Sequence, residues 1–295
     1  MTRKASWGFV EGDEIAPGRV ALDRLGGGNL FETYLAWDDR LFFIVVAKLI
    51  RPDRVGDASA VKRLQTEAET LARLSHPVLV RSFGAVLEGP HPHLVLEHTE
   101  GPTLRSLLRR YGPLPMEQIL PLALNLCSAL HYLTTEGMAH LDVKPGNIIM
   151  GAPPVLIDLS LARSLTQAGR ITTPIGTEPY MAPEQCEPGA RGAIGPPADV
   201  WGVGATLHEA ITGRPPFPPD DLAPGGAGAR FPQLVRDPQP LPPDTPPEVA
   251  ETVLRCLAKD PSDRPSAAEL GMGLQPIVAS ARRRSVLGLR RPRLR

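Results

Sequence analysis

Cysteine is scarce, neither charge sign is in excess, and no hydrophobic run is long. Cys127, Cys186 and Cys256 are few, far apart and odd in number. That excludes a disulfide scaffold and a multi-cysteine zinc ribbon, and suits a reducing compartment. Lys+Arg and Asp+Glu both total 32, so no chain-wide basic field for nucleic acid exists. No apolar stretch approaches the ~20 residues of a membrane span, since Phe42–Ala47 is strand-sized and stops at Lys48. The N-terminus lacks the apolar core of a signal peptide. The expectation is a cytoplasmic protein without a transmembrane segment or a sequence-specific nucleic-acid partner. With 295 residues, 42% of them hydrophobic, the chain can bury the cores of two modest lobes.

Proline and glycine are plentiful but unevenly placed. Pro-Pro pairs at 215–216, 218–219, 242–243 and 246–247 rule out continuous helix or central strand from Pro215 to Pro247. A solvated surface connection is expected there, in preference to a ligand for a proline-reading module. Upstream, Arg19–Leu25 and Phe31–Trp37 flank Gly26-Gly27-Gly28-Asn29 and read as a hairpin with a glycine-rich turn. Phe42–Ile50 and His93–Glu97 read as further strands. Ser59–Leu74 is helical, with Ala60, Leu64, Leu71 and Leu74 on one stripe. Beyond Glu100-Gly101-Pro102 the pattern turns helical at Pro115–Thr135, Ala198–Thr212 and Glu248–Ala258, with Pro121 expected to bend the first of these. A small β-rich lobe therefore precedes a larger helical one, with the boundary near 98–101.

Two charges interrupt apolar patterns. Lys48 closes an apolar strand, and Glu67 joins the stripe of its helix while Glu69 points elsewhere. Two unlike buried charges can compensate each other. A structural ion pair, or an exposed lysine at a strand end, accounts for the same spacing. Next comes His140-Leu141-Asp142-Val143-Lys144-Pro145-Gly146-Asn147. The short runs Ile148–Met150 and Val155–Ile157 suggest a hairpin, with Asn147 entering it and Asp158 leaving it at the same end. An amide oxygen beside a carboxylate suits Mg²⁺, which takes few protein ligands together with substrate phosphates. Asp142 offers a proton acceptor and Lys144 a cation for a phosphoryl group. A polar turn capped by Asp and Asn accounts equally for this short motif alone.

The order of the pieces carries more information. The glycine turn, Lys48, Glu67, the loop 140–147 and Asp158 are followed by Gly176-Thr177-Glu178-Pro179-Tyr180-Met181-Ala182-Pro183-Glu184, by Asp199-Val200-Trp201-Gly202-Val203-Gly204, and by Arg264. Over residues 14–275 the chain resembles the eukaryotic-type (Hanks-type) protein kinases, most nearly the bacterial serine/threonine kinases. The resemblance implies an α+β bilobal kinase-like fold, with an N-lobe at 14–98 and a C-lobe at 99–280. Residues 1–13 would be an extension and 281–295 an arginine-rich tail. It implies ATP and Mg²⁺ as cofactors and protein Ser/Thr hydroxyls as acceptors.

Site roles follow position by position. Leu25, Gly26, Gly27, Gly28 and Thr33 would line the nucleotide, with the glycines over its phosphates. Lys48 would hold the α- and β-phosphates and pair with Glu67. Leu96 falls at the gatekeeper position, so Glu97 and Thr99 would meet the adenine edge. Asp142 would be the catalytic base, Lys144 the γ-phosphate stabiliser, and Asn147 and Asp158 the metal ligands. Thr177 would position the loop around Asp142, and Glu184 with Arg264 would form a buried structural pair.

Three positions depart from the pattern. Phe31 stands where the third glycine falls, Asp158-Leu159-Ser160 replaces D-F-G, and Leu141 replaces the arginine before the catalytic Asp. None removes a group that touches phosphate or metal, and an active enzyme is expected. The departures alone support a pseudokinase that binds nucleotide or a partner as a scaffold. A small-molecule phosphotransferase shares an H-x-D loop, but Ala182-Pro183-Glu184, Asp199–Gly204 and Arg264 argue against it. Thr172 or Thr173 is the expected autophosphorylation site, with only a modest gain in activity because Leu141 cannot pair a phosphate; Arg163 or Arg170 is the alternative partner. His76 reads as a turn residue, Cys127 as core, and His91, His93 and His98 as no metal set. The seven arginines of the tail (282, 283, 284, 290, 291, 293 and 295) read either as a solvated end or as a contact for an anionic surface or partner.

Overall fold

The computed structural model describes residues 5–218 and 230–288, with side chains described as far as residue 280. The arginine side chains of the tail lie outside the described residues. The chain divides into two compact units, residues 1–100 with 158–160, and 101–157 with 161–295.

The first unit is a six-stranded sheet in the order β1-β2-β3-β4-β6-β5 with one helix. Its strands are β1 (Glu14–Ala16), β2 (Arg19–Gly27), β3 (Phe31–Asp38), β4 (Phe43–Ile50), β5 (Ser82–Val86) and β6 (His93–Glu97), and its helix is α1 (Ala58–Arg73). All pairings are antiparallel. β4 lies between β3 and β6, and apart from Lys48 its side chains are apolar. Val45, Ala47 and Leu49 join Tyr34, Ala36 and Val95 in one core cluster. The two-residue period turns Lys48 to the other face. α1 starts at Asp57, whose carboxylate caps the Ser59 N–H, and it buries Ala60, Leu64, Glu67 and Leu71.

The second unit is mainly helical. α2 (Leu104–Tyr111) begins on a Thr103 cap, and α3 (Met116–Thr135) buries Ile119, Leu122, Leu126, Ala129, Leu130 and Leu133. Pro121 falls within α3, and its carbonyl accepts a bond from Asn125 Nδ2. Helices Pro196–Thr212, Pro247–Cys256 and Ala267–Gly288 follow. Small two-stranded ladders pair Ile148–Ile149 with Val155–Leu156 and Met138–Ala139 with Arg163–Ser164. Among the described residues no helix is long and apolar enough to cross a membrane.

The proline-rich stretch needs a correction. Its described residues are not simply a solvated connection. Phe217, Phe231, Gln233 and Leu234 are buried, and the last two sit in the short 3-10 turn Pro232–Leu234. Phe231 and Leu234 pack with Met181 and Cys186, while Gln233 Nε2 donates to the carbonyls of Glu178 and Met181. Apolar side chains between the prolines outweigh the preference of proline for surface turns. Residues 219–229 of this stretch lie outside the described set.

Candidate active site

In the first unit the Lys48 ammonium donates to Glu67 Oε1 at 2.8 Å, Glu67 Oε2 at 2.7 Å and Asp158 Oδ1 at 2.7 Å. Lys48 is 6% exposed and Glu67 1%. Burial works against the Lys48 charge, but the carboxylates of Asp158 and Glu67 outweigh it and hold the ammonium well above its ordinary pKa. The cation is thus fixed in its charged form. The ring of Phe31 stands over it, 4.9 Å from centroid to Nζ. Asp158 has φ +67°, and Leu159 after it is buried.

The glycine-rich turn joins β2 to β3. The register sets Gly26 opposite Thr33 and Gly27 opposite Glu32, while Thr33 pairs with Lys48 across β3 and β4. A Cβ on Gly27 would stand 2.7 Å from the Phe31 carbonyl oxygen, so glycine is required there. Gly28 N–H donates to that same carbonyl at 2.9 Å and closes the turn. Leu25 is half exposed at its edge. Leu96 is buried opposite Val46. Glu97 uses its N–H on Arg81 O, whereas neither backbone group of Thr99 bonds to any described residue. An N–H and carbonyl left open in the half-buried segment just after β6 suit a hydrogen-bonding heterocycle.

In the second unit the loop 140–147 converges on Asp142. Thr177 Oγ1 donates to Asp142 Oδ1 at 2.7 Å. Lys144 Nζ donates to Asp142 Oδ2 and, at 2.6 Å, to Thr177 Oγ1. Asn147 Nδ2 donates to the Asp142 backbone carbonyl at 3.0 Å and to Oδ2 at 3.1 Å. With the amide nitrogen so committed, Asn147 Oδ1 points the other way, as a hard oxygen ligand must. Ile157 N–H donates to Asn147 O, so the hairpin is paired up to the residue before Asp158. These observations fit the residue set expected for a nucleotide and a divalent cation. Among the described residues no three His, Cys, Asp or Glu side chains gather as a separate metal set.

Beyond Thr177, sequence reading gave no individual role to the residues that hold this loop. Asp199 accepts the N–H groups of His140 and Leu141 at 2.7 Å each, and its complete burial pushes its pKa up to about 7. Gln185 Nε2 donates to the carbonyls of Leu141 and Ile175. A lone Asp inside the apolar segment Ala198–Val203 was the available signal for the first, and no local signal pointed to Gln185. Leu141 itself is buried with φ +66°. Thr172 and Thr173 are exposed, and Arg163 donates to the Ala162 carbonyl. Glu184 and Arg264 form a fully buried bidentate pair at 2.7 and 2.9 Å.

Comparison with known proteins covers most of the chain. A family model described as the protein kinase domain matches residues 20–272. The serine/threonine-protein kinase PknB of Mycobacterium leprae is 35% identical over 84% of this chain and 41% of its own length. The serine/threonine-protein kinase PkaA of Streptomyces coelicolor is 34% identical over 79% of this chain and 43% of its own length. The chain thus spans well under half the length of these curated relatives.

Proposed function

This chain belongs to the protein kinase domain family, and from that premise we propose that it transfers the γ-phosphoryl group of ATP to serine or threonine hydroxyls of proteins. The observation that carries the reading is the Asp142 carboxylate, held on both oxygens by Thr177, Lys144 and Asn147. A carboxylate so oriented accepts the proton of an attacking hydroxyl, while the hydroxyl oxygen bonds to the γ-phosphorus and the bond to the bridging β–γ oxygen breaks, releasing ADP. Lys144 places its ammonium beside that carboxylate, where negative charge passes during transfer. Lys48 and the turn Gly26–Gly28 hold the phosphates, and Glu97 and Thr99 offer backbone groups to the adenine. Leu25 and Thr33 flank the same turn. Asn147 and Asp158 would hold a Mg²⁺ ion, which supplies charge neutralisation for the phosphates.

The three departures leave these groups in place. Phe31 covers Lys48, Leu159 stays buried, and Leu141 lies in the core and offers nothing to a phosphate. We assign the kinase domain to 14–280 and place it in the cytoplasm. Thr172 or Thr173 is the proposed autophosphorylation site. With Leu141 unable to pair a phosphate, phosphorylation there raises activity only modestly.

The test is transfer of labelled phosphate from Mg-ATP to the chain itself and to a generic basic protein, beside Asp142→Asn. Transfer lost in Asp142→Asn is expected. Nucleotide binding without transfer would mean a pseudokinase, and phosphorylation of free amino sugars alone would mean a small-molecule enzyme.

A further inference from the structure

The segment Ala5–Phe9 lies on the sheet of the first unit. Trp7 stacks with Phe9 at 5.9 Å, and both rings meet His91 edge-on. Phe9 also meets Tyr34, and His91 Nδ1 donates to Ile15 O at 2.7 Å. Trp7 Nε1 donates to the Ile50 carbonyl at 2.8 Å, which ties the segment to the end of β4.

The next residue after Ile50 links this anchor to the glycine-rich turn. Arg51 is 4% exposed. Its Nη1 donates to Ala5 O and to Glu32 Oε1, both at 2.7 Å, and its Nε donates to Gly28 O at 2.8 Å. Its backbone N–H donates to Leu30 O at 2.9 Å. Glu32, fully buried, also accepts from the Trp7 N–H and the Tyr34 hydroxyl at 3.1 Å each. Burial works against its charge, but bonds from Ser6, Trp7 and Tyr34 and the charge of Arg51 hold the carboxyl below its usual range. Both members of the pair therefore meet the β3 side of the turn. Arg51 grips Gly28 and Leu30, and Glu32 follows Phe31, whose ring covers Lys48.

We propose that Trp7, Glu32 and Arg51 are positioning residues for nucleotide phosphates, the docked segment Ala5–Phe9 setting the glycine-rich turn and Phe31 through the buried Glu32–Arg51 pair. The proposal rests on the reading of that turn as the phosphate site. It also gives a reason for the lost third glycine. A turn held from outside does not need the flexibility that glycine supplies, and the side chain that replaces it shields Lys48. The strap would act on phosphates and leave the adenine contacts alone.

ADP and adenosine separate those two effects, since adenosine lacks phosphate. Their dissociation constants are measured by calorimetry on the full chain, wild type and Trp7→Ala, with KM for ATP and kcat alongside. Trp7→Ala is expected to weaken ADP by roughly fivefold or more, adenosine less than twofold, and to raise KM for ATP more than it lowers kcat. Equal weakening of both ligands would show a merely structural role and overturn the proposal, as would no change in either. If Trp7→Ala does not fold, Trp7→Phe carries the test, because it keeps an aromatic ring at the position while removing the donor to Ile50. A smaller loss confined to ADP is expected from it, and no loss overturns the proposal. Wild-type protein that binds ADP no better than adenosine would instead remove the nucleotide reading of the turn, and this proposal with it.

Discussion

Lys48 gives two of its ammonium protons to the two carboxylate oxygens of Glu67, at 2.8 and 2.7 Å. The third goes to Asp158. Removing the cation therefore leaves two facing carboxylates, one of them fully buried. Lys48→Met is expected to abolish most phosphoryl transfer and also to cost about 3–5 kcal/mol of stability, the usual result of stranding one partner of a buried pair. The double variant Lys48→Met/Glu67→Gln should recover much of the melting temperature and none of the activity. Near-normal turnover in a folded Lys48→Met protein would remove Lys48 from the mechanism.

Thr177 both donates to Asp142 and accepts from Lys144. Thr177→Ala frees the carboxylate to turn, so kcat should fall roughly 10–100-fold while KM for ATP changes little. Thr177→Ser keeps the hydroxyl and should restore most of the rate. Equal loss in both variants would mean that the methyl group, not the hydrogen bond, matters.

The Glu184–Arg264 pair belongs to the scaffold. Arg264 also donates to the carbonyls of Ala258, Pro197 and Lys259 and lies over the Trp201 ring at 5.0 Å. Arg264→Ala leaves Glu184 enclosed without its partner, with a predicted loss of about 3–5 kcal/mol in chemical denaturation. Arg264→Lys should recover little, because one ammonium cannot replace a bidentate fork.

His93 gives the fold a dependence on pH. Its Nδ1 donates to His91 O, so Nε2 must accept from Arg19, which is itself paired with Asp38. Burial and the Arg19 guanidinium lower its pKa from 6.5 to about 4. Between those values the unfolded chain binds the proton and the folded one does not, so stability rises with pH across that window. The full difference approaches about 3 kcal/mol. Denaturation midpoints measured from pH 4 to pH 7 should climb in wild type and flatten in His93→Gln. An unchanged slope in the variant would place the titration elsewhere.

Much of this could be read along the chain. An apolar run ending in Lys48 and a stripe that includes Glu67 report which faces are buried, because periodicity follows directly from strand and helix geometry. Asp142, Lys144 and Asn147 share one short loop, and their spacing already limits how they can meet. β5 and α2 escaped notice, since Ser82–Val86 carries little buried surface and α2 is only eight residues long. The buried turn at Pro232–Leu234 was hidden by the prolines around it.

Partner choice is a different matter. β3 turns Glu32 to the buried face with Tyr34 and Ala36, but nothing local in the sequence says that Arg51 neutralises it or that Trp7 donates to it. Asp199 reaches His140 and Leu141 across nearly sixty residues, and Gln185 reaches Leu141 across 44. Phe31 looked like a lost glycine until the β3–β4 pairing brought its ring over Lys48. The sequence by itself marked Lys48 and Glu67 as charges set in apolar patterns and the loop 140–147 as the expected carrier of the chemistry. Only the tertiary structure decided what each buried charge faces, because desolvation cost depends on residue type whereas its compensation depends on distance in space.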